Sequence, residues 1–95
     1  MDGMHRTPIA PLDVEIDGVG KYVPASSVDE LTALLTRLEW PDKSPREFHR
    51  ALVSSFDALD HVVEPQVARE AFVDAAHATG MRVLPDDMAE IRKAG

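Results

Sequence analysis

The chain of 95 residues has no cysteine, only five aromatic side chains (three Phe, one Trp, one Tyr), and a shortage of basic residues. Each shortage excludes something. Without cysteine there is neither a disulfide framework nor a thiolate metal site. With so few aromatics, Leu, Val and Ala must supply most of the core. Seventeen acidic against ten basic residues give a formal charge of −7, a field that repels phosphate backbones and anionic lipid heads, so neither nucleic acid nor a membrane surface is an expected partner. No stretch approaches the roughly 20 apolar residues of a membrane span, and the start, Met1–Arg6, lacks the apolar run of a signal peptide. A cytoplasmic home is the expectation.

What is present reads as one α+β domain. Residues 1–11 carry Pro8 and Pro11 without periodicity and predict a flexible tail. Leu12–Ile16 alternates apolar and acidic with period two, the mark of a strand buried on one face. A turn at Asp17–Gly20 and a second strand at Lys21–Val23 complete a β-hairpin that pairs Val14 with Val23 and Glu15 with Tyr22. Val14, Ile16 and Val23 then face the core.

Three helices follow. Ser27–Glu30 forms a capping box, and Val28, Leu31, Leu34, Leu35 and Leu38 recur behind it at helical spacing. This helix ends near Trp40, because Pro41 pushes the residue before it out of the α region. Ser44-Pro45-Arg46-Glu47 opens a second helix, whose stripe of Phe48, Leu52, Phe56 and Leu59 predicts its buried face. The third runs from Pro65 to Gly80, with Ala68, Ala71, Phe72, Ala75 and Ala76 inward. Its alanines allow close axes, so it is expected to pack most tightly on the second. Met81–Leu84 is a candidate third strand, and residues 85–95 form a short helical turn or tail. The expected architecture is an antiparallel hairpin with three helices on one face and a single domain over 12–84.

Trp40-Pro41 after a leucine-rich helix, Ala58-Leu59 closing the next, and Ala68-Arg69-Glu70-Ala71-Phe72-Val73-Asp74-Ala75-Ala76 with Gly80 behind it are three ordered landmarks. Together they resemble the small rhizobial and α-proteobacterial proteins of the domain of unknown function 982 family, from about Leu12 to Leu84. The resemblance implies a bacterial cytoplasmic protein and carries no activity, cofactor or catalytic residue. In two places the chain departs from the pattern: Ser55 stands where a cysteine is expected and Asp60 where a glycine often ends the second helix.

Chemistry-bearing constellations are thin. No two of His5, His49, His61 and His77 lie within five residues of each other, and Asp57, Asp60 and His61 read better as a solvated helix end than as metal ligands. Ser54 and Ser55 sit in mid-helix, where a hydroxyl usually bonds back to a carbonyl one turn earlier. Asp86-Asp87 reads as the dipole complement of a last helical turn. Arg46, His49 and Arg50 form a small basic patch, best read as a solvated face with Arg50 paired to Glu47. Arg69 has no carboxylate among its helical neighbours, so its ion pair must come from another element, with Asp57, Asp60 and Glu39 as candidates. Val53 and Val73 are apolar on otherwise polar faces and are the candidate contact with another chain. Trp40, Pro41, Arg69, Phe72 and Gly80 are expected to be structural.

No cofactor, metal or catalytic group is expected. Three functions remain open: an interaction or regulatory module, homodimeric or bound to another protein; a small enzyme or ligand binder with a dispersed site; and an acidic inhibitor mimicking nucleic-acid charge.

Overall fold

The computed structural model describes residues 7–15, 20–37 and 45–87. Strands β1 (Pro8–Glu15), β2 (Tyr22–Ser27) and β3 (Val83–Leu84) form an antiparallel sheet in the order β2-β1-β3. Helices α1 (Val28–Arg37), α2 (Pro45–Leu59) and α3 (Pro65–Ala78) lie between β2 and β3 in the chain. Val14 pairs with Val23 and Glu15 with Tyr22, the register read from the alternation. Ile16, Leu38, Glu39, Trp40, Pro41 and residues 88–95 lie outside the described residues.

The predicted N-terminal tail gives way to structure from Thr7 onward. Strand β1 begins at Pro8, Thr7 is buried, and its carbonyl accepts the Val28 N–H at 2.8 Å while its own N–H donates to Asp29 Oδ2 at 3.0 Å. Two prolines are tolerated because the β1–β2 register shifts between Pro8 and Leu12, an irregularity that relieves the ladder of their missing donors.

Ser27 caps α1 as expected, its Oγ accepting the Glu30 N–H at 3.2 Å. The other half of the box is displaced: Glu30 Oε1 accepts the Ser26 N–H at 2.7 Å. Val28, Leu31, Leu34 and Leu35 are buried behind this cap.

Helices α1 and α3 lie against the sheet, and α2 packs outside them, making its most extensive contact with α3. That contact runs through small residues, and it turns α2 away from its predicted stripe. The buried line is Ala51, Ser55 and Ala58, with Phe48, Leu52 and Leu59 half-buried beside it and Phe56 47% exposed. Alanine-to-alanine packing lets the axes approach, so the bulky side chains are displaced to the flanks. On α3 all five predicted inward residues are buried, Phe72 being the largest fully buried side chain of the protein.

Candidate interaction face of helix α2

Two electrostatic anchors hold the end of the sheet to α3. Arg69, 8% exposed, donates from Nε to the Ala10 carbonyl at 2.8 Å and from both terminal nitrogens to Asp86, at 3.1 and 2.8 Å. Arg69 pairs outside its own helix as expected, but among the described residues its partner is Asp86 and not Asp57 or Asp60; Glu39 lies outside the described residues. Two turns further along α3, His77 Nε2 lies 3.0 Å from Asp87 Oδ2. Asp86 and Asp87 are a pair of carboxylates gripping α3; the last helical turn whose dipole they were expected to complement lies outside the described residues. Asp87 Oδ2 also accepts the Val83 N–H at 2.6 Å. Burial pushes the Asp87 carboxyl up, but the Val83 N–H and the hydrogen bond and charge of His77, with the Arg82 charge, outweigh it. The carboxyl is held below its ordinary value.

These contacts also close the sheet. Asp87 occupies both polar groups of Val83, its N–H donating to the Val83 carbonyl at 2.7 Å. On the opposite edge Pro24 has no N–H to offer and that of Ser26 is taken by Glu30. Pairing with another chain by strand addition therefore meets blunted edges.

The helical surface is different. Val73 is 8% exposed and belongs to the main core cluster, which corrects its placement on a polar face. Helix α3 buries a wider arc than its alanines alone, because α2 and the sheet both lean on it. Val53, in contrast, is 43% exposed, and Phe56 stands one turn away on the same face of α2. Arg46, His49, Arg50 and Asp60 are exposed around them. Arg50 bridges Asp74 of α3 at 3.0 Å with both side chains 55% exposed, and not Glu47. The role of Phe56 could not be read from spacing, since the stripe it belongs to looks like a core stripe.

Other candidate groups are not brought together. Among the described residues no three of His, Asp and Glu are placed to hold a metal ion. Ser55 is fully buried and its hydroxyl has no hydrogen-bond partner, in place of the expected back-bond. An open hollow of about 420 Å³ is lined by His61, Val62, Val63, Glu64 and Pro65, and another of about 200 Å³ by Val23, Pro24, Glu30, Ala33 and Leu34. Neither sets a nucleophile beside a base. No described helix is long and apolar enough to cross a membrane.

These observations define a small α+β protein with an anchored sheet and an outward helix that keeps Val53 and Phe56 at its surface, with Val62 and Val67 also exposed in the following turn and at the start of α3. A family model described as "Protein of unknown function (DUF982)" matches residues 10–83. The chain belongs to that family. Comparisons with curated proteins and with solved structures gave no match.

Proposed function

We propose that the protein is a small non-catalytic interaction or regulatory module of a bacterial cytoplasm, and that it docks through the outer face of α2. The observation that carries the reading is the exposure of Val53 and Phe56, 43% and 47%, one turn apart on the outermost helix. Isolated exposed valines are ordinary. An exposed aromatic with a branched neighbour, ringed by charge, has the composition of an interface core inside a polar rim. The test is capture from the source cell with the wild-type chain and with Phe56→Asp as baits, after circular dichroism shows that both fold. Proteins retained by the wild type and lost from the variant support the reading. An identical set from both baits contradicts it.

A further inference from the structure

The outer face of α2 has an internal symmetry. Taking Val53 as centre, Arg46 lies seven residues before it and Asp60 seven after. His49 lies four before and Asp57 four after, while Arg50 lies three before and Phe56 three after. At 100° per residue all of these positions fall within about 60° of Val53, so they share one face. Arg46, His49, Arg50, Val53, Phe56 and Asp60 are exposed and Asp57 is half-buried.

We infer that this face docks on a second copy of the chain, with the two α2 helices antiparallel and Val53 on the two-fold axis. A two-fold contact brings positions equally far before and after Val53 to the same level in the two copies. Arg46 then meets Asp60 near the centre of the seam, while on the flanks the axis keeps each residue on its own side, so that Arg50 comes level with Asp57 and His49 with Phe56. A parallel arrangement would oppose Arg46 to itself and Asp60 to itself.

Two features of the isolated chain support this pairing. First, the charges oppose the helix dipole. Arg46 sits in the first turn of α2, Asp57 in its last turn and Asp60 just past its end, whereas the dipole favours the reverse order. Only Glu47 in the first turn conforms. Among the described residues none of Arg46, Asp57 and Asp60 takes part in a side-chain ion pair that would offset the mismatch. An antiparallel partner supplies an opposite dipole and opposite charges at each end. Second, the protein carries −7 overall, yet this face holds two arginines against two aspartates. Even with Asp74 of α3 bridged to Arg50 beside it, this surface is less acidic than the rest of the protein, so two copies meet there with less of the repulsion that opposes contact elsewhere.

The inference rests on the reading of α2 as an interaction face and names the partner. One helix face per copy makes a small interface, so association belongs to the weak class. Sedimentation equilibrium of the full chain from about 5 µM to about 500 µM spans that range. The wild type should pass from monomer to dimer. Arg46→Asp and Asp60→Arg should each weaken the dimer about tenfold or more, because each turns two attractive pairs into repulsive ones. The double variant carrying both changes restores opposite charges across the axis and should recover the dimer to within about threefold of wild type. A wild type that stays monomeric throughout overturns the self-pairing. So does a dimer indifferent to the single reversals, or a folded double variant that does not regain it. If the wild type is monomeric while Phe56→Asp still loses a captured protein, the second copy is wrong and the interaction reading survives.

Discussion

Helices α2 and α3 end in the same hydrogen-bonded turn with different residues at its centre. At the end of α3, Gly80 has φ +84°, with its N–H on the His77 carbonyl at 3.0 Å and the Met81 N–H on Ala76 at 2.8 Å. At the end of α2, His61 has φ +61°, with its N–H on Ala58 at 3.1 Å and the Val62 N–H on Asp57 at 2.7 Å. Both are Schellman closures, which place one residue in the left-handed region. Glycine meets no steric penalty there, and histidine does. The α3 end leads into the strand that Arg69 and His77 help to anchor. The α2 end carries its strain beside Val62, which is 69% exposed. The difference teaches that α3 is built for stability, while α2 tolerates unfavourable residues at its outer surface and its end.

Breaking the anchored side should have the largest effect. Arg69→Met removes a nearly buried cation and leaves Asp86 and the Ala10 carbonyl without their donor, which should cost about 3 kcal/mol in denaturant unfolding. The same substitution at Arg50, whose bridge is exposed, should change stability by less than about 1 kcal/mol. Equal losses would contradict the distinction between the two sides.

Exchanging the two closing residues sharpens the comparison. His61→Gly should stabilise the protein by about 1 kcal/mol, and Gly80→Ala should destabilise it by about the same amount. A Cβ at Gly80 would meet nothing within 4 Å, so the expected loss comes from the backbone alone. Thermal midpoints moving in the same direction for both variants would show that the ends are not equivalent turns.

Much of this architecture was legible in the sequence, and the failures share a cause. Period-two alternation located the Leu12–Glu15 part of β1 and the length of the turn its register, and Val28, Leu31, Leu34 and Leu35 of α1 and the alanines of α3 became buried as read. Phe56 was misplaced because spacing identifies an apolar stripe and does not say which part of it a small-residue contact will cover. Val73 was misplaced for the converse reason: its side looks polar in projection, but α3 is enclosed from more than one direction. Arg69 was correctly expected to find a partner elsewhere, while Asp86 was hidden by a turn whose geometry no local pattern encodes. The symmetry of α2 about Val53 was present in the residues throughout, and became visible as a face only when Val53 and Phe56 were both found exposed.

Ser55 offers a smaller test of the α2–α3 contact. Its hydroxyl is buried without a partner, so Ser55→Ala should raise stability by about 1 kcal/mol, provided the alanine-lined contact stays closed. A loss on substitution would show that the hydroxyl is bonded in solution.

The pH response should be the smallest effect. Because the folded Asp87 carboxyl lies below its unfolded value of about 3.9, it contributes stability that is present above that value and is lost as pH falls through the folded pKa. Asp87→Asn should therefore flatten the part of the acid unfolding profile below about pH 4 and leave its slope near neutrality unchanged. An unaltered acid limb would contradict the role given to the Val83 and His77 contacts.

The absence of cysteine makes the central claim directly measurable, because a single introduced thiol has no competitor within the chain. Residues on the two-fold axis of antiparallel helices about 8–10 Å apart bring their Cα atoms within the roughly 4.4–6.8 Å that a disulfide spans. Val53→Cys should therefore convert to covalent dimer under mild oxidation. Glu70→Cys, exposed on α3 and away from the proposed axis, should remain monomer under the same conditions. Non-reducing electrophoresis showing efficient cross-linking at position 53 and none at position 70 is the predicted result. Equal cross-linking at both positions, or none at 53, would contradict the pairing of α2 with a second copy.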